Sequence, residues 1–412
     1  MNTSLEFWFD FSCPYAYLAS RRAVELARAA SVPLAWKPML LGGVFRGVGA
    51  GDGPMATLGA AKAAHNLHDM QRWADLDGAP FRMPAAHPMR TVRALRVLLA
   101  LDHSRWPDAI AALYAAYWQR ADDITRDDTI AAALRAGGAS DDDIRTALAR
   151  ADSQEIKDEL RRRTDEAIAL GIFGAPAWIV RREGGAELFW GRDRIPMVEA
   201  ALGLQRTSDL GPRTSARGEH EVQLYFDVAS PFAYLALTQA SRLGDVKLVP
   251  ILVGALFRDI GQADVPLFAM NDAKQRYTRI EMTRWARWWD VPFDMPTKFP
   301  QRTVTAQRLC VIAGERARPL AIALGRAMWA EQRDLEDDAT LRAILSALAL
   351  PTAWLERARD PDVKEALVAN TAAARHAGVF GVPTWIVDGR HLFWGQDRIE
   401  LVARALDGWT PP

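Results

Sequence analysis

Cys13 stands immediately before Pro14, between an apolar run from Leu5 to Asp10 and a stretch in which Tyr17, Leu18, Ala19, Val24 and Leu26 recur with helical spacing. Proline at a first helical position gives up no hydrogen bond, so the spacing puts Cys13 at a helix N-terminus. There the unpaired N–H groups and the helix dipole favour an anion, and a cysteine is expected to have a lowered pKa and more thiolate. The plainer alternative is a small buried residue closing a strand, since cysteine buries readily. Ser230, before Pro231, holds the matching position later in the chain. Serine and cysteine share size and a donor/acceptor tip, which suits contact with a sulfur or an oxyanion better than plain packing does.

Two further blocks could bind the same ligand. Gly174-Ala175-Pro176 and Gly381-Val382-Pro383 each precede an apolar strand. A cis bond there turns the backbone of Ala175 and Val382 outward, where N–H and C=O can pair with an extended peptide; taken alone, an ordinary strand-opening proline is the commoner reading. Gly191-Arg192-Asp193-Arg194 and Gly395-Gln396-Asp397-Arg398 stand at strand-to-helix turns. Helix N-terminal N–H groups hold a carboxylate and an aspartate pairs with an amine, which together match an α-amino acid head group. The alternative is an N-cap aspartate beside a solvated arginine.

These blocks recur because the chain repeats itself. Phe7-Trp-Phe-Asp-Phe-Ser-Cys-Pro-Tyr-Ala-Tyr-Leu-Ala19 returns as Leu224-Tyr-Phe-Asp-Val-Ala-Ser-Pro-Phe-Ala-Tyr-Leu-Ala236, and Gly171-Ile-Phe-Gly-Ala-Pro-Ala-Trp-Ile-Val180 as Gly378-Val-Phe-Gly-Val-Pro-Thr-Trp-Ile-Val387. Leu188-Phe-Trp-Gly-Arg-Asp-Arg-Ile195 returns as Leu392-Phe-Trp-Gly-Gln-Asp-Arg-Ile399, and the Trp73…Pro88-x-Arg90-Thr91-Val92 stretch as Trp285…Pro300-x-Arg302-Thr303-Val304. The order and most of the spacing are kept. At 412 residues the chain accommodates two such domains, 1–204 and 221–412, with a polar linker over 205–220.

Each copy reads as a βαβ start, a helical insertion (about 42–170 and 254–377) and a ββα end, a small mixed sheet with a helical lobe in its middle. The expected strands are 5–10, 33–37, 177–180 and 187–190, then 221–226, 247–250, 384–387 and 391–394. Fifty-one basic residues balance fifty-one acidic ones, so no global field recruits nucleic acid or an anionic membrane. No apolar run approaches the roughly 20 residues of a spanning helix, and the N-terminus lacks the basic start and apolar core of a signal peptide. A cytoplasmic location is expected. The two cysteines, Cys13 and Cys310, form no CxxC pair, and no cluster has zinc-ligand spacing.

In combination, Ser230-Pro231-Phe-Ala-Tyr-Leu-Ala236, Gly378-Val-Phe-Gly-Val-Pro383 and Phe393-Trp-Gly-Gln-Asp-Arg398 resemble the 2-hydroxychromene-2-carboxylate isomerases and kappa-class glutathione transferases, in the DsbA-like branch of the thioredoxin superfamily. The resemblance spans nearly the whole chain, once per copy. It implies an α/β fold of two tandem thioredoxin-like domains and glutathione as cofactor. It implies Ser230 against the glutathione sulfur, Val382 before cis-Pro383 on the cysteinyl backbone, and Gln396 with Asp397 at the γ-glutamyl end. In the first copy Cys13, Ala175 before Pro176, and Asp193 match, with Arg192 replacing a small polar residue. A lysine of the inserted helices touches glutathione in kappa-class relatives, and Lys62 and Lys274 are the candidates. Because such relatives pair as dimers, the copies are expected to form an internal pseudo-dimer.

The activity implied is a glutathione-dependent cis–trans isomerisation of an aromatic unsaturated carboxylate, with Arg90 or Arg302 as conceivable partners of that carboxylate. The rivals are a glutathione transferase, a monothiol reductase using Cys13, and a non-catalytic glutathione- or peptide-binding scaffold. With at most one cysteine per motif, dithiol oxidation is excluded. Cys310 reads as core, Arg161-Arg162-Arg163 as a solvated helix face, and Trp285, Trp288 and Trp289 as packing before acceptor pocket. His65, His68 and His87 have Tyr277, Ile280 and Phe299 as counterparts, which argues against a shared catalytic role.

Overall fold

The computed structural model describes residues 3–51, 53, 58–205 and 220–412. The linker expected over 205–220 lies, apart from its two end residues, outside the described residues. Each copy carries a four-stranded sheet. In the first, β1 (Ser4–Phe9) runs parallel to β2 (Leu34–Pro38) and antiparallel to β3 (Ala177–Arg182), which pairs with β4 (Gly185–Trp190), giving the order β2-β1-β3-β4. In the second, β5 (Val222–Phe226), β6 (Lys247–Pro250), β7 (Thr384–Val387) and β8 (His391–Trp394) repeat it as β6-β5-β7-β8. Between the second and third strands of each sheet the chain is helical, as the alanine- and leucine-rich pattern predicts. The central strands are apolar on both faces because helices cover both: Leu5, Phe7, Trp8 and Phe9 are all fully buried.

One carboxylate fixes the turn after the first strand in each copy. Asp10 accepts from Ser12 N–H (3.0 Å), from Leu41 N–H at the entry to the helical lobe (2.8 Å), and from the Thr91 hydroxyl deeper in that lobe. Asp227 repeats this with Ala229 N–H (3.0 Å), Val253 N–H (3.0 Å) and the Thr303 hydroxyl (2.8 Å). Burial pushes both carboxyls above the ordinary carboxylate range even though each of these bonds pulls down. Two tryptophans clamp the lobe on the same turn: Trp118 Nε1 donates to Phe11 C=O and Trp329 Nε1 to Val228 C=O, each at 2.8 Å. Tyr17 and Tyr234, from the repeated motif, reach the lobe at Pro80 C=O and Pro292 C=O.

The copies touch through contacts that recur with the copies exchanged. The helix Ala60–Leu76 of the first lobe lies on β8, where Arg72 donates to Leu392 C=O (2.6 Å) and stacks on Phe393. The helix Asp272–Trp288 lies on β4, where Arg284 donates to Leu188 C=O (3.2 Å) and stacks on Phe189. Trp394 N–H donates to His65 Nε2 (3.2 Å) and Trp190 N–H to the Tyr277 hydroxyl (2.8 Å). His65 thus has a counterpart in function where the sequence shows only histidine against tyrosine: both side chains offer an acceptor to the same strand end. Burial lowers His65 to about 4, so it is neutral at neutral pH, as an acceptor must be.

Two outcomes follow from these anchors. Asp10→Ala strands Leu41 N–H and the Thr91 hydroxyl in the core and is expected to cost roughly 2–4 kcal/mol, read as a lower thermal midpoint; an unchanged midpoint contradicts the anchoring role. For His65, the folded pKa of about 4 lies below the ordinary 6.5. The unfolded chain therefore binds the extra proton first, and stability is lost as pH falls from 6.5 towards 4. His65→Gln, which keeps an acceptor that does not titrate, is expected to flatten that window in thermal unfolding; equal losses in both proteins rule the histidine out.

Candidate functional site

In the second copy Ser230 caps the helix Pro231–Gln239 from an extended backbone. Its Oγ accepts from Ala233 N–H (3.2 Å) and donates to Val382 C=O (3.3 Å). The Val382–Pro383 bond is cis. Gly395 N–H donates to Pro383 C=O (2.9 Å) and Trp385 Nε1 to Gly395 C=O (3.1 Å), which ties the β7 entry to the turn holding Gln396 and Asp397. That turn needs glycine: Gly395 has φ +115°, and a Cβ there would run into the Asp397 carboxylate. The structure so brings Ser230, Val382, Pro383, Gln396 and Asp397 around one end of the second sheet.

The first copy gathers Cys13, Ala175, cis-Pro176, Arg192 and Asp193 in the same way, with Cys13 Sγ donating to Ala175 C=O (3.1 Å) and Gly191 N–H to Pro176 C=O (3.0 Å). The expectation of a thiolate does not hold there. Cys13 is only 6% exposed, and burial, with Asp10 adding to it, pushes the thiol up to about 12 against the pull of the helix N–H groups. The helix N–H groups do pull the thiol down, but desolvation outweighs them. Arg192 is committed to its own lobe: it pairs with Asp77 (Nε to Oδ2 3.1 Å) and stacks 3.9 Å above the Trp73 ring.

Both aspartates are engaged across the copies. Arg398 Nη1 lies 2.8 Å from Asp193 Oδ2, and Arg194 Nη1 lies 2.8 Å from Asp397 Oδ2. Arg398 also grips Asp69 (Nε to Oδ1 2.9 Å), and Arg194 grips Glu281. Burial works against the charge on Asp69 and Asp193, but the arginines override it and hold both carboxyls below the ordinary range. Asp69, Glu281, Arg194 and Arg398 carry this network, yet no sequence pattern marks them as partners; the recurrence of Asp-Arg after Trp-Gly was the available signal.

Lys62 and Lys274 each face the opposite copy. Lys62 Nζ sits 4.9 Å above the Trp394 ring and Lys274 Nζ 5.5 Å above the Trp190 ring. Those indoles back directly on the Gly-x-Pro turns, since a Cβ at Gly381 would lie 2.9 Å from Trp394 Nε1 and one at Gly174 2.7 Å from Trp190 Nε1. Burial and the charge of Lys274 lower Lys62 to about 8. Among the described residues neither lysine has a carboxylate within ion-pair distance.

The remaining candidates lie elsewhere. Arg90 and Arg302 are exposed on the lobes. His68 is exposed, and His87 Nδ1 meets the Tyr117 hydroxyl at 2.9 Å. Arg161 and Arg162 are solvated, but Arg163 is a correction to that reading: it packs over Trp106 and pairs with Glu159. Cys310 is buried in the core. The rings of Trp285 and Trp289 pack against each other tilted by 49°, their centroids 4.8 Å apart. With Trp73, Asp193 and Asp397 they line a cleft of about 420 Å³ between the copies. Among the described residues no helix is long and apolar enough to cross a membrane.

The DSBA-like thioredoxin domain matches the chain twice, over residues 4–203 and 221–407. Glutathione S-transferase kappa 1 of Caenorhabditis elegans is 26% identical over 212 residues, 46% of this chain and 92% of its own length. The 2-hydroxychromene-2-carboxylate isomerase of Pseudomonas sp. (strain C18) is 27% identical over 203 residues, 45% of this chain and 90% of its own. A solved 2-hydroxychromene-2-carboxylate isomerase structure aligns with TM-score 0.41 at 23% identity, covering 45% of this chain and 94% of that one. The chain therefore belongs to the DsbA-like thioredoxin domain family and carries that α/β domain in two tandem copies.

Proposed function

We propose that this protein is a glutathione-dependent isomerase of the 2-hydroxychromene-2-carboxylate type, acting on an aromatic unsaturated carboxylate through its second copy, with the two copies working as an internal pair. The observation that carries this reading is the Ser230 hydroxyl, held at a helix N-terminus within 3.3 Å of the carbonyl before cis-Pro383. The residues present fit the tripeptide. Val382 offers backbone at the strand opening, Asp397 offers a carboxylate for an ammonium, and Lys62 is a half-buried cation with no carboxylate partner among the described residues.

When bound, glutathione would supply a thiolate nucleophile for reversible addition to a conjugated double bond. Ser230 would offer its O–H to that sulfur in place of Val382 C=O, and the first N–H groups of the Pro231–Gln239 helix would favour the negative charge. Asp397 and Val382 orient the tripeptide, so that the reacting atoms meet without a search. No group of the chain is oxidised or reduced. The identity of 26% to a kappa-class transferase favours one second reading, conjugation without release, which would use the same residues. Monothiol chemistry at Cys13 is disfavoured by that thiol's burial. A reducing cytosol, where glutathione is abundant, suits a chain whose two cysteines are both free.

Ser230→Ala is expected to lower kcat on a hydroxychromene carboxylate about 100-fold, with a smaller change in the KM for glutathione. Turnover of the chromene with glutathione unchanged in amount supports the isomerase; a glutathione adduct of an aryl halide with no chromene turnover supports the transferase. Full activity in Ser230→Ala, or activity without glutathione, contradicts the proposal.

A further inference from the structure

The two copies are not equivalent where the ligand must sit. At the sulfur position each side chain donates to the carbonyl before its cis-proline, but Ser230 is half-buried and carries a hydroxyl, a good donor, whereas Cys13 is 6% exposed and carries a thiol, a weak donor. At the head-group turn, Gln396 replaces an arginine that in the first copy is occupied by Asp77 and Trp73. The aspartates are each held by both arginines and differ only in which oxygen is nearest. Around Asp397 both arginines make their nearest contact with one oxygen, Oδ2 (Arg194 2.8 Å, Arg398 3.1 Å). Around Asp193 they take one oxygen each, Arg194 on Oδ1 (3.1 Å) and Arg398 on Oδ2 (2.8 Å). Tyr15 closes the first site further, donating to Asp69 Oδ2 (3.0 Å), which Arg398 also holds; its counterpart Phe232 has no hydroxyl to do so.

The contacts across the copies recur on both sides, so what differs is the site that each one reaches. The helix Ala60–Leu76 of the first copy brings Lys62 over Trp394, whose indole backs on the Gly381-Val382-Pro383 turn, and His65 against Phe380 and Trp394. From these two sets of observations we infer that the chain has one working glutathione site, in the second copy, and that the first copy serves it in trans by presenting Lys62 to a glutathione carboxylate. Lys62 is a binding residue of the second site, not of the copy that encodes it. The matching Lys274 faces a site whose sulfur position is a buried thiol and whose head-group turn carries an arginine committed to Asp77 and Trp73. The duplication thus divides the labour: one copy binds, the other supplies a wall.

This inference rests on the glutathione reading, and its test separates the two. Equilibrium dialysis of the full chain against radiolabelled glutathione, under a phosphine reductant, is expected to saturate at one equivalent per chain. Ser230→Ala and Lys62→Met are each expected to weaken binding about 10-fold, within the range of a hydrogen bond or ion contact to a charged group. Lys62→Arg restores most of the affinity, which a merely structural lysine does not predict, and Lys274→Met leaves binding within about two-fold. Two equivalents per chain, one equivalent lost in Cys13→Ala but kept in Ser230→Ala, or a Lys274→Met effect equal to that of Lys62→Met overturns the inference. Absence of saturable binding in the unaltered chain overturns the glutathione reading itself.

Discussion

Everything between the two copies is organised by a crossed pair of buried arginines. Arg194 reaches Asp397 and Glu281; Arg398 reaches Asp193 and Asp69. Their side chains are only 12% and 11% exposed, so each charge has lost most of its water and must be answered by another. Such a network adds little net stability compared with apolar packing, but removing one member leaves a buried charge unanswered, at a cost of about 3–5 kcal/mol. Its effect is therefore to select one relative placement of the copies. That placement sets the lobe helix of each copy on the last strand of the other, and with it Lys62 beside the second copy's Gly-x-Pro turn.

The same placement explains how the copies can differ. Two separate subunits of identical sequence must each keep a working site or lose both together. Joined in one chain, the partner is always present at high effective concentration, and one site can be given up while its scaffold is retained. The first copy keeps what holds the structure: the Asp10 anchor, the Trp118 clamp, and the Arg194 and Asp193 arms of the network. It departs at two positions that the resemblance assigns to ligand, Cys13 and Arg192, and Tyr15 adds a hydroxyl bond where Phe232 has none.

Much of this was legible in the residues. The repeat, the eight strands and the helical lobes follow from period and punctuation, and the expected strand edges differ from the observed ones by at most two residues. Ser230 and Cys13 as helix caps followed from the proline after them. The ionisation of Cys13 did not follow, because a helix N-terminus can be read from sequence while the burial that overrides it cannot. The structural role of His65 was hidden for a related reason: comparing copies by residue type does not show that histidine and tyrosine both supply an acceptor to a tryptophan N–H in the other copy. That Lys62 and Lys274 each face the opposite copy was equally hidden, since a contact across the copies leaves no periodic trace.

Where glutathione sits, and which copy holds it, decides between one composite site and two equivalent ones. A crystal structure of the full chain grown with reduced glutathione tests this most directly. The expected result is one tripeptide per chain, its backbone paired with Val382, its sulfur within hydrogen-bond distance of Ser230 Oγ, and a carboxylate on Lys62. Density at Cys13 and Ala175, or at the second site with Lys62 turned away from it, would contradict the composite site that the crossed arginines are argued to build.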